Sequence, residues 1–166
     1  MGTSNTAWAA NIFCPNAPPN PPFLACNGTN NADRIFGTAN RDLIDGLGGD
    51  DKMHGFSNGD LMFGENGNDK MDGGAGNDEM EGESGNDKIK GDTGNDRLVG
   101  GTGADRIDGG NGDDQIYHGN AGPISFAKEP DGSKDDIRCG PGIDEVFINS
   151  SVDGDTATNC ETVHVG

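Results

Sequence analysis

The stretch Gly64–Gly91 reads GENGNDKMDGGAGNDEMEGESGNDKIKG and says almost the same thing three times: Gly-x-x-Gly-Asn-Asp, then a polar, an apolar and a third residue. Extended outward from it, a nine-residue frame holds from Gly28 to Tyr117 without an insertion. Glycine fills the first position in all ten repeats. The sixth is always aspartate: Asp33, Asp42, Asp51, Asp60, Asp69, Asp78, Asp87, Asp96, Asp105 and Asp114. The eighth is always Ile, Leu or Met, from Ile35 to Ile116. The fourth is glycine in seven of ten and Asn31, Asn40 or Asn58 in the others. Asparagine is the side chain that best tolerates the left-handed backbone region after glycine, so the fourth position is expected to need positive φ. A strict period of this length is the mark of a solenoid.

Positions one to six are turn residues. Positions seven to nine alternate outward, inward, outward, which is a short strand with one buried side chain. One strand cannot bury that side chain alone. Two repeats can make a flat coil of two strands and two turns, and stacked coils pair each strand with its counterpart about 4.8 Å away. The expected fold is all-β: a parallel β-roll, a β-solenoid whose core is a thin apolar column between two parallel sheets, with capped ends.

These repeats resemble the repeats-in-toxin (RTX, hemolysin-type) calcium-binding nonapeptide, Gly-Gly-x-Gly-x-Asp-x-apolar-x, over residues 28–117. The resemblance implies a parallel β-roll with calcium ions between turns stacked on the same side. Each ion would take aspartate carboxylates and backbone carbonyls from two successive turns. The chain departs from the pattern at the second position, where glycine occurs only at Gly74, Gly101 and Gly110. The first three turns also lack one or more glycines, which leaves ion geometry in the earliest coils open.

Composition supports a metal on independent grounds. Among 166 residues there are 30 glycines, 30% apolar residues and a net charge of −18, close to the disordered class. Calcium wants 6 to 8 oxygen ligands in tolerant geometry, and the repeat offers only oxygens. Magnesium demands a stricter octahedron, and zinc prefers His or Cys. His54, His118 and His164 fall at ninth or unrelated positions and are read as solvent-facing. Alternation of the turns puts Asp33, Asp51, Asp69, Asp87 and Asp105 on one edge and Asp42, Asp60, Asp78, Asp96 and Asp114 on the other. One ion per gap gives roughly eight ions or more, about +16 against the chain's −18. Without metal the two carboxylate files repel, so the chain is expected to fold on binding Ca2+. The same acidity argues against nucleic acid and anionic membranes as partners, and no apolar run is long enough for a membrane-spanning helix.

Four regions follow: a tail and disulfide cap (1–27), the ten-repeat roll (28–117), an insertion loop (118–129), and last coils with a C-terminal cap (130–166). In the last region PDGSKDDIR and CGPGIDEVF restore the frame and add Asp135 and Asp144 as metal ligands. The segment CGPGIDEVF…NCETV resembles closing segments of bacterial and archaeal extracellular members of the family. The ends of a rod are too far apart to cross-link, so Cys14–Cys26 and Cys139–Cys160 are the expected disulfides, each worth about 3 kcal/mol by chain entropy. Disulfides indicate an oxidising, extracellular setting. The start, MGTSNTAWAANIF, lacks the basic and long apolar parts of a signal peptide, while AWA has the small-x-small look of a cleavage site. The trimmed end of a secreted protein and a plain tail both remain open.

No His-Glu-x-x-His occurs, and nearly every repeat residue is already committed to turn or core, so an enzyme is not expected. The reading is an extracellular calcium-binding structural, surface or matrix module, with end-to-end self-association as a homotypic contact. Alternatives are a non-catalytic domain of a secreted enzyme or adhesin, and an ice-binding face. The last is disfavoured because threonine fills the third position only at Thr93 and Thr102.

Overall fold

A computed structural model describes residues 10–15, 25–117, 119, 134–148 and 155–165. The lead up to residue 9, the proline-rich loop 16–24, His118 and the insertion 118–129 (Gly119 apart) lie outside the described residues.

Sixteen strands are described. In chain order the first eight are β1 (Asn11–Phe13), β2 (Ala25–Asn27), β3 (Arg34–Phe36), β4 (Leu43–Asp45), β5 (Lys52–Ser57), β6 (Leu61–Phe63), β7 (Lys70–Ala75) and β8 (Glu79–Ser84). The rest are β9 (Lys88–Thr93), β10 (Arg97–Thr102), β11 (Arg106–Asn111), β12 (Gln115–Tyr117), β13 (Asp136–Arg138), β14 (Glu145–Ile148), β15 (Thr156–Thr158) and β16 (Thr162–Val165). Odd-numbered strands form one eight-stranded sheet and even-numbered strands the other, each in simple serial order. Every pair is parallel, with Met53 opposite Met71 and Met71 opposite Ile89. This is the parallel β-solenoid that the nine-residue period predicts. No described helix is long and apolar enough to cross a membrane.

The core is one residue wide per strand. Ile35, Met53, Met71, Ile89, Ile107 and Ile137 come from one sheet, and Ile44, Met62, Met80, Leu98, Ile116 and Val146 from the other, all buried. Parallel pairing in register stacks each on its own kind, so eighteen residues of mostly polar sequence contribute two core side chains per coil.

Two features extend the expected pattern. The strands β5 and β7–β11 run six residues rather than three, because pairing continues round the corner: Gly74 lies opposite Asp92 and Ala75 opposite Thr93. The roll also begins before Gly28. Ile12 pairs with Ile35, and Cys26 takes an apolar-column place opposite Ile44. The Cys14–Cys26 bond ties this first coil's two strands together, and Cys139–Cys160 joins the turn after β13 to the turn after β15, linking adjacent coils near the far end. From β2 to β12 paired residues are 18 apart, but Arg106 pairs with Asp136 and Gln115 with Glu145, a step of 30, and the end strands pair at offsets of 23 (β1–β3), 20 (β13–β15) and 17 (β14–β16). The extra twelve residues leave the register of both sheets intact.

Candidate metal centre

The sixth-position aspartates stand in two files, one at each edge of the roll. Each donates its backbone N–H to the carboxylate of the next rung on its own edge: Asp33 to Asp51, Asp51 to Asp69, Asp69 to Asp87, all through Oδ1 at 2.7–2.8 Å. The other edge repeats this from Asp42 through Asp60, Asp78 and Asp96 to Asp114. Asp105 reaches Asp135 and Asp114 reaches Asp144 across the 30-residue step. All twelve aspartates named from the sequence are at most 5% exposed. The files then run one rung further than the repeat pattern predicts, because Asp135 N–H donates to Asp155 and Asp144 N–H to Glu161. The sequence signals are the outward-inward-outward triplets after them, Thr156-Ala157-Thr158 and Thr162-Val163-His164, weakened by an alanine core residue and a glutamate for aspartate.

Oδ1 is thus satisfied, and Oδ2 is not. The Oδ2 atoms of Asp51, Asp60, Asp69, Asp78, Asp87, Asp96, Asp114 and Asp144 are buried and accept no hydrogen bond. A buried carboxylate oxygen without a partner is costly, so a repeated one marks a missing partner. Burial pushes the carboxyls of Asp51, Asp60, Asp69 and Asp96 up to about 7 and those of Asp87 and Asp114 to about 6, while the neighbouring N–H pulls the other way. Adjacent rungs of like charge add to the rise, Asp69 and Asp33 at Asp51 for instance. Asp78 and Asp144 are raised for the same first reason.

The unpartnered oxygens face glycine and backbone carbonyls. A Cβ placed on Gly46 would sit 2.7 Å from Asp51 Oδ2 and 2.8 Å from the Gly64 carbonyl oxygen, and one on Gly64 would sit 2.7 Å from both Asp69 Oδ2 and the Gly82 carbonyl oxygen. Any side chain at the first position would fill this cradle, which explains why it is always glycine. Among the described residues no three acidic, His or Cys side chains converge. Any ion held here takes its coordination from carboxylates in file and backbone carbonyls. An all-oxygen cradle beside a buried, unsatisfied carboxylate oxygen fits a hard divalent cation.

The turns fall into two classes. The fourth-position glycines all have positive φ, from +105° at Gly49 to +146° at Gly76, and Asn58 follows at +68°. Asn31 and Asn40 do not, contrary to the expectation for that column. The second position, in sequence only a departure from the repeat, is left-handed from the third repeat to the tenth: Leu47, Phe56, Glu65, Glu83 and Asp92 lie at φ between +69° and +83°, alongside Gly74, Gly101 and Gly110. In the first two repeats threonine stands there instead, with ordinary φ. The N–H and hydroxyl of Thr29 both donate to Asp33 Oδ2 at 2.7 Å, and those of Thr38 donate to Asp42 Oδ2 at 2.6 and 3.0 Å. A threonine hydroxyl thus serves in turns one and two the oxygen left bare in the later turns.

The fifth-position asparagines link one coil to the next. Asn68 Oδ1 accepts the Asn86 N–H, and Asn77 Oδ1 accepts the Asn95 N–H. His54 is half-buried against Asp72 at 3.5 Å and His164 is exposed near Glu145, both away from the carboxylate files.

A family model described as RTX calcium-binding nonapeptide repeat (4 copies) matches residues 27–55, 54–89 and 90–121, together more than half of the chain. No curated protein matches it.

Proposed function

The chain belongs to the RTX calcium-binding nonapeptide repeat family, and from that premise we propose that it is a non-catalytic extracellular structural module whose roll is closed by Ca2+ along both carboxylate files. The observation that carries this reading is the row of buried Oδ2 atoms with no donor, those of Asp51, Asp60, Asp69, Asp87, Asp96 and Asp114 each beside a first-position glycine and a backbone carbonyl oxygen. Calcium supplies the positive charge that those oxygens lack. The ligands are Asp51, Asp69, Asp87, Asp105 and Asp135 on one edge and Asp60, Asp78, Asp96, Asp114 and Asp144 on the other, with first-position carbonyls completing each shell. Asp33 and Asp42 end the two files, where an ion would have to displace the hydroxyl of Thr29 or Thr38. One ion per gap keeps the number near eight, enough to cancel most of the −18 charge.

Two disulfides and a roll that closes on calcium suit the outside of a cell, which is oxidising and rich in calcium. The end strands leave Val163 and Val165 at 44% and 60% exposure, so end-to-end association of calcium-loaded rolls is part of the reading. Far-UV circular dichroism at pH 7.5 tests the core of it. A β signal that rises on titrating Ca2+ and not Mg2+, and is lost in chelator, is expected; an undiminished β signal in excess chelator would refute it. Light scattering on the same samples tests association, with calcium-dependent growth in size as the expected result.

A further inference from the structure

In sequence, the seventh position of the odd-numbered sheet is merely polar and outward. In the fold it becomes a column of like charge. Arg34, Lys52, Lys70, Lys88 and Arg106 lie directly opposite one another on five consecutive strands. All five are exposed, and none forms an ion pair with a described residue. With Lys90 and Arg138, this sheet carries seven of the chain's eleven Lys and Arg. The even-numbered sheet has Leu43, Leu61, Glu79, Arg97 and Gln115 in the equivalent column, and its one cation is already paired with Glu79 at 2.8 Å.

Like charges opposite one another across strands destabilise a sheet. Relief of aspartate repulsion does not account for the column, because both sheets border the same two files and only one carries it. The same strands also carry Asp72, Asp92, Asp108 and Asp136, with Lys90 paired to Asp92 and Arg138 to Asp136, so once calcium neutralises the edges it is the five-residue column that leaves this face net positive. Beside the column runs a shallow groove, walled by Arg34, Lys52 and Lys70 on one side and Phe36, His54 and Asp72 on the other. Phe36 stacks on Phe13 at 5.2 Å, and Phe56, 43% exposed, meets the His54 ring at 4.1 Å.

We propose that this face binds a linear acidic polysaccharide laid along the solenoid axis. The five cations are spaced by the strand separation and span about 19 Å, which suits a chain bearing a carboxylate on each successive sugar ring. The aromatic rings offer flat apolar surface to the sugar faces. A single narrow chain fits along the one column of cations, whereas duplex nucleic acid would overhang it. The proposal rests on the calcium-loaded roll inferred above.

The test is titration of the full chain with oligogalacturonates long enough to cover five strands and too short to gel, calcium matched in both solutions, with circular dichroism on the same samples. Expected are saturable binding that weakens steeply with salt, a loss of about tenfold or more in K52Q/K70Q/K88Q, and no binding of the fully methyl-esterified, uncharged oligomer. The triple variant should reach the parent's β signal at a calcium midpoint no higher than the parent's, since it loses like-charge repulsion across strands. A folded parent that binds no better than the triple variant, or binds the uncharged oligomer equally, overturns the proposal. So does equal binding of a single-stranded oligodeoxynucleotide. Loss of the β response to calcium would instead count against the module reading, so the two failures are told apart.

Discussion

Asp69 has one oxygen more than the metal-free protein can use. Its Oδ1 accepts the Asp51 N–H at 2.8 Å, while its Oδ2 is buried and bare beside the Gly82 carbonyl. Asp69→Asn separates the two needs. The amide keeps an acceptor for the Asp51 N–H and offers an N–H2 toward the carbonyl. It should therefore ease folding in chelator by about 1–2 kcal/mol, because a buried unpaired charge is gone. It should also raise the calcium midpoint, because a ligand charge is gone. Calcium titrations by circular dichroism with a chelator baseline would show both shifts, and a variant moving both in the same direction would contradict the assignment. At this scale the sequence is legible wherever one physical demand rules a column, as glycine does in the cradle, aspartate in the file and an apolar residue in the core. It is not legible where backbone conformation overrides side-chain type. Nothing about Leu47 or Phe56 announces a φ of +69° or +83°, and the stacked turns impose it. Nor does Thr29 or Thr38 announce a hydroxyl turned onto an aspartate four residues on.

Most strands turn one apolar side chain into the core, and each touches only its own coil and the neighbouring ones, so the roll behaves as a one-dimensional stack. Met71 of β7 sits mid-column between Met53 and Ile89 and is fully buried. Met71→Ala should cost about 2–4 kcal/mol in calcium, and the coils on either side lose their main apolar link at that point. Urea unfolding should show a lower midpoint and a shallower slope as the two halves uncouple. Lys70→Ala, one residue away and exposed, should leave both nearly unchanged. A sharp, single transition in the Met71 variant would show that the carboxylate files, not the column, hold the coils together. Strand order and register follow from the period alone, since a fixed offset of 18 leaves only one way to stack. The terminal coils are harder to read because their markers are replaced: Cys26 stands for the apolar residue, Ala157 weakens another, and Glu161 takes the place of aspartate.

The whole molecule balances a −18 chain on two buried acidic files, and protons should compete with calcium for them. The free carboxyls of Asp51, Asp60, Asp69 and Asp96 are raised in the fold to about 7 from an ordinary 3.8, with Asp87 and Asp114 at about 6. A folded-state value above the unfolded one means the fold binds protons more tightly than the open chain. Its contribution is complete below about pH 4 and is lost as pH rises through 6 to 7. In chelator the chain should therefore gain β signal as the solution is acidified from pH 8 to pH 5, acid doing part of what calcium does at neutrality. In calcium the same change acts the other way on affinity, because each ion must now displace a proton, and the calcium midpoint should rise. Titrations at pH 8, 6.5 and 5, each with a chelator baseline, measure both effects. A chelated chain less ordered at pH 5 than at pH 8 would mean that the bare oxygens are not what keeps the metal-free roll open.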